Sequence, residues 1–67
     1  MSVTKVIELN ASSAQGIEDA VRQGLSKASK TVKNIRGVWV NEIKAVTSAD
    51  GDITEWRVNM RINFVVD

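Results

Sequence analysis

Few side chains in this 67-residue chain are equipped for chemistry, and their spacing limits what they can do. It has no His and no Cys. That removes the commonest general base, the commonest transition-metal ligand, thiolate metal sites and every Ser-His or Cys-His nucleophile pair. Glu42 and Glu55 fall in neighbouring strand-like segments and are the carboxylates best placed for paired acid–base work. Lys44, Arg57 and Arg61 stand beside them, so ion pairing is their expected role. Ser12, Ser13 and Thr47 have no base partner. Asp50-Gly51-Asp52 offers carboxylates and loop carbonyls suited to Ca²⁺. The downstream bidentate Glu of a full calcium loop is missing, however, and the tripeptide reads first as a β-turn. With no catalytic constellation, the chain is expected not to be an enzyme. What remains is a flat indole, Trp39, suited to stacking on a planar ligand or to burial against another subunit. Arg57 adds a guanidinium suited to a phosphate or carboxylate.

The elements that must position these groups follow from apolar periodicity. In the last segment Trp56, Val58, Met60, Ile62, Phe64 and Val66 alternate with Glu55, Arg57, Asn59, Arg61 and Asn63. Successive strand side chains point to opposite faces, so this is a long strand with one apolar and one polar face. Val3 to Leu9 alternates in the same way, with Val3, Lys5, Ile7 and Leu9 on one side. Ser12 or Ser13 is positioned to cap a helix. From Ala14 to about Lys33, the residues Ile17, Ala20, Val21, Leu25, Ala28 and Val32 form one helical stripe. Glu18 and Asp19 lie near its start and Lys27, Lys30 and Lys33 near its end, the order the helix dipole favours. Gly16 and Gly24 weaken the helix slightly and allow close packing against a sheet.

After Asn34, Val38 and Val40 share a face, and so do Ile43 and Ala45, with the phase slipping between Asn41 and Ile43. Such a slip predicts a β-bulge. Ser48 to Asp52 is a hairpin signal, with Asp50-Gly51 suited to left-handed turn positions. The predicted architecture is a single α+β domain over 1–67: β-α-β-β, one helix covering the apolar face of a three-stranded antiparallel sheet. Its second face, with Trp39 and the charges of the last strand, stays open as a subunit interface or ligand surface.

Nine Lys/Arg against eight Asp/Glu leave a net charge of +1, so the basic excess of a nucleic-acid binder is absent. No apolar run approaches the roughly 20 residues that span a bilayer. The first ten residues alternate like a strand and lack signal-peptide features, so no membrane association and a cytoplasmic location are expected. A core this small, without disulfides, points to stabilisation by self-association.

Taken together, several segments resemble the dodecins, small flavin-binding proteins that assemble as hollow homododecamers. The resemblance runs through the Lys5–Leu9 strand, the Ser12–Ile17 helix entry, the Lys30–Ile35 stretch, the Asp50-Gly51 hairpin and the Val58–Phe64 ending. It implies a sheet wrapped around one helix, self-assembly into a homododecamer, and a non-enzymatic role in binding, storing or buffering a small ligand. The expected ligand is FMN or riboflavin, stacked between tryptophans of neighbouring subunits and contacted by a glutamine. The family's stacking Trp falls on Gly37 and its Gln on Arg57, so this chain keeps neither. Trp39 lies two residues beyond Gly37, on the same strand face and about 6–7 Å along it. Gly37, Trp39 and Arg57 are therefore the candidate binding residues. The alternative is a structural or Ca²⁺-binding assembly of the same fold that does not bind flavin.

Overall fold

A computed structural model describes residues 3–66. The elements run β1 (Val3–Ser13), α1 (Ile17–Ala28), β2 (Ile35–Thr47) and β3 (Ile53–Val66). The three strands form one antiparallel sheet in the order β1-β3-β2. The α+β class and the β-α-β-β order expected from periodicity are therefore present. The most strictly alternating segment, β3, is the central strand, and α1 lies across the sheet over β1 and β3.

The core is the meeting of two patterns. Ala20 and Ala28 of the helical stripe are buried against Val58, Met60 and Ile62 of β3, with Ile7, Leu9, Ala11, Ile17, Val21 and Leu25 packed around them. Fully burying side chains the size of Val58, Met60 and Ile62 stabilises by about 1.5–3 kcal/mol each. Small residues bring the helix close to the sheet. A Cβ added at Gly24 would lie 2.7 Å from Met60 Cε and 3.1 Å from Met60 Sδ, so the absence of a side chain there sets the spacing. Trp56 is half-buried on this same side, between Ser13 and Ala45 in register, consistent with the packing role its phase predicts.

Three boundaries differ from those expected. β1 continues past Leu9 to Ser13, because Ala11 and Ser13 keep the inward alternation opposite Val58 and Trp56 of the long central strand. The helix is shorter than Ala14 to Lys33 at both ends, and Val32 lies beyond it, half-buried. Its N-cap is Gly16, at φ 147°, and neither Ser12 nor Ser13. Ser13 instead ties the strand end to the first helical turns: its hydroxyl accepts from the Gln15 N–H at 2.9 Å and donates to Asp19 at 2.6 Å. After Ala28 the chain tightens into a turn, and Asn34, at φ 61°, redirects it into β2.

The bulge in β2 lies where the phase slip placed it. Register jumps between Val40 and Glu42, leaving Asn41 without a partner on β3, so that Val38, Val40, Ile43 and Ala45 all face the helix side. The Ser48–Asp52 hairpin closes with Ser48 N–H on the Asp52 carbonyl at 2.8 Å. Only Gly51 takes a left-handed angle there, at φ 89°; Asp50 does not, contrary to expectation.

The helix does not cover the whole apolar face. The sheet is long, giving the chain a 51 Å principal extent, and Val40, Ile43 and Ile53 are exposed beyond the reach of α1. Ile43 is 54% exposed. No helix among the described residues is long and apolar enough to cross a membrane.

Candidate functional site

The outer sheet face is built of cross-strand rows, because residues opposite one another in an antiparallel ladder share a face. In order, the rows are Val6–Asn63–Gly37, Glu8–Arg61–Trp39, Asn10–Asn59–Glu42 and Ser12–Arg57–Lys44. Gly37 and Trp39 thus occupy neighbouring rows of one face, as their spacing predicts. Trp39 is 57% exposed, an unusual position for an indole. It lines an open trough of about 650 Å³ with Val6, Glu8, Asn41 and Arg61, a volume within the range of small-molecule sites. Gly37 adds no side chain to the row beside Trp39, and a Cβ there would sit 3.1 Å from Asn63 Oδ1, so the Asn63 amide lies close against the glycine.

The polar side chains of this trough are cross-linked to each other and to Asn59 beside it. Glu8 Oε2 accepts from Asn59 Nδ2 at 2.5 Å, and Asn59 Nδ2 also reaches Asn41 Oδ1 at 3.4 Å. Arg61 Nε stands 3.8 Å from Glu8 Oε2, a loose pairing between two half-exposed side chains.

Arg57 is not beside Trp39. It lies four residues from Arg61 along β3, about 13 Å by strand rise. It lines a second trough, of about 320 Å³, with Asn10, Glu42, Ile43, Lys44 and Asn59. Its Nε donates to Glu55 Oε2 at 2.7 Å, and Lys44 is its cross-strand neighbour. Two cations directly opposed destabilise a sheet unless an anion sits between or beside them, which Glu55 does in part. Glu42 and Glu55 do not face each other as a carboxylate pair. Glu42 opposes Asn59, Glu55 opposes Val46, and the Arg57–Lys44 row separates them. Asp50 and Asp52 belong to the hairpin, where their N–H groups approach Ser48 Oγ at 3.3 Å. Among the described residues no group of three or more carboxylates is arranged to hold a metal ion.

Away from this face, the Ser13 hydroxyl and the Gln23 amide, each 2.6 Å from Asp19 Oδ2, hold the Asp19 carboxyl below the usual carboxylate range. This is a clip between β1 and α1, not part of the trough.

Glu8, Asn41 and Arg61 were not among the candidate binding residues, Arg61 being expected only as an ion-pair partner of Glu42 and Glu55. Phase alone places Arg61 on the outer face, but its meeting with Glu8 and Trp39 depends on β3 lying between β1 and β2.

The family model for dodecins matches residues 3–67, nearly the whole chain. The chain belongs to the dodecin family. Solved dodecins superpose on it closely. The dodecin from Streptomyces davaonensis is 30% identical, with 98% of this chain and 96% of that one covered and a TM-score of 0.88. A variant of the Thermus thermophilus dodecin is 28% identical, with 100% and 97% covered and a TM-score of 0.89. The Streptomyces coelicolor dodecin, at 24% identity, 98% and 93% coverage and a TM-score of 0.89, shares the fold. No curated protein sequence matches this chain.

Proposed function

We propose that this dodecin is a non-enzymatic homododecameric shell that binds and stores a planar small molecule, FMN or riboflavin, on its outer sheet face. The observation that carries the reading is Trp39, exposed on a sheet face and standing over a trough of about 650 Å³. The planar ring stacks on Trp39, and Gly37 puts no side chain of its own in the neighbouring row. The ring thus binds two residues along β2 from the position where the family places its stacking Trp. Arg57 and Lys44, about 13 Å along the sheet, receive the phosphate at the end of an extended ribityl chain. Self-association is supported by the apolar side chains that the single chain leaves exposed, among them Val6, Val40, Ile43 and Ile53.

Titrating riboflavin with the protein and following the quenching of flavin fluorescence tests the site. Quenching at micromolar protein is expected, and undiminished fluorescence overturns the reading in favour of an assembly that does not bind flavin. Light scattering tests the shell: the expected mass is twelve times the 7.3 kDa of one chain, and a monomeric mass refutes it.

A further inference from the structure

The trough offers hydrogen-bonding groups of both signs, half-exposed and free of protein partners on one side, beside one aromatic face. Trp39 and Arg61 are direct cross-strand neighbours, and so are Arg61 and Glu8. Only Oε2 of the Glu8 carboxylate is engaged, by Asn59 at 2.5 Å and, loosely, by Arg61 Nε at 3.8 Å; Oε1 accepts nothing from the described residues. An ionised carboxylate has about four acceptor positions, and a guanidinium has five donors of which four are on the terminal nitrogens. The terminal nitrogens of Arg61 make no hydrogen bond among the described residues. An acceptor with no donor function therefore stands next to a donor with no acceptor function, both along the edge of the surface that Trp39 offers for stacking.

We infer that the Glu8–Arg61 pair reads the edge of a stacked planar heterocycle that carries an N–H beside a C=O, a lactam or imide. Glu8 accepts from the N–H and Arg61 donates to the carbonyl, so ring systems without that N–H are selected against. Charge-assisted bonds of this kind are stronger than neutral ones, and an N-methyl group in place of the N–H both removes the donor and holds the ring edge away from the carboxylate. The pair thereby supplies from two residues the mixed reading that Arg57, a pure donor in another trough, does not provide. This assignment rests on Trp39 as the stacking surface.

The test compares riboflavin with N3-methylriboflavin, whose imide N–H is replaced by a methyl group, by fluorescence titration of the assembled protein. Riboflavin is expected to bind at least about tenfold more tightly. In Glu8→Leu the two probes should come within about threefold of each other, because the acceptor is gone. Arg61→Met should weaken both probes alike, since both keep the carbonyl. Glu8 and Arg61 are half-exposed, so neither substitution opens the core. Equal binding of the two probes to the unmodified protein, or a preference that survives Glu8→Leu, overturns the edge assignment while leaving the stacking site in place. Binding of neither probe removes the stacking reading and this inference together.

Discussion

Replacing Gly24 with Ala sets two effects of similar size against each other, and the geometry decides their sign. In a helix interior Ala is favoured over Gly by about 1 kcal/mol. The new methyl, however, would lie 2.7 Å from Met60 Cε, where carbon–carbon contacts settle at about 3.5–4.0 Å. Met60 Cε must retreat by about 1 Å; it is the free end of a flexible side chain, but Met60 is fully buried in the core cluster with Ala20, Val58 and Ile62, so the retreat presses on packed neighbours. Overpacking of this kind costs about 1–3 kcal/mol. The expected net result is a destabilisation of about 1 kcal/mol, seen as a fall of about 4–8 °C in Tm. Thermal melts followed by circular dichroism measure it, with both proteins at one chain concentration because association makes Tm concentration-dependent. A second background sharpens the test. Met60→Leu shortens the side chain that Gly24 accommodates, so Gly24→Ala should become stabilising there, with a coupling energy of about 1–2 kcal/mol between the two sites. If Gly24→Ala raises Tm in the unmodified protein, Met60 yields freely and the close approach is not what sets the helix–sheet spacing.

Trp39→Ala removes the stacking face and should weaken riboflavin binding by about 1–3 kcal/mol, roughly 5- to 150-fold, in the quenching titration; an unchanged Kd would move the ligand elsewhere. FMN should bind up to about fivefold more tightly than riboflavin at low salt, an exposed ion-pair contribution of at most about 1 kcal/mol, and Arg57→Gln should erase most of that difference. Equal affinities for the two flavins would separate Arg57 from the ligand. Asp19 has a folded-state pKa below its ordinary value of 3.8, first through the Ser13 hydroxyl and then through Gln23. Its contribution to stability is therefore fully present above that value and lost as pH falls through the lower, folded-state pKa. Tm measured from about pH 6 down to about pH 2 should fall less steeply for Asp19→Asn than for the unmodified protein. Parallel curves would show that the clip between β1 and α1 does not depend on the charge.

Much of the fold was legible because the strongest signals were also the structural ones. The alternation from Trp56 to Val66 marks the central strand, and the phase slip after Val40 marks a bulge that the register contains. The element ends were not legible. Ala14 to Gly16 and Ser29 to Lys33 carry helix-compatible residues, but the first stretch spans the link from β1 and the second a tight turn. Asn10 to Ser13 has poor strand propensity locally and is held extended by the partner residues Trp56 to Asn59. In the candidate site, the shared face of Gly37 and Trp39 followed from a spacing of two. The separation of Arg57 from Trp39, and the presence of Glu8 and Arg61 beside the indole, did not follow. Both depend on which residue of one strand opposes which of another, and two register shifts in the pairing of β2 with β3, after Val40 and after Val46, lie between the hairpin and Trp39.

The placement of β3 between β1 and β2 has a further consequence for how the chain acquires its structure. It is the last strand in order, yet every ladder of the sheet runs through it, from the Val3–Val66 pair to the Ile53–Thr47 turn. Until β3 is available, β1 has no strand partner and the apolar side of α1 has only a fraction of its eventual contacts. Half of the sheet therefore depends on closing a loop across nearly the whole described chain, a pairing that pays its entropy before any contact repays it. Folding should be gated by that single late event, and chains waiting for it carry unpaired strand edges on which other copies can template.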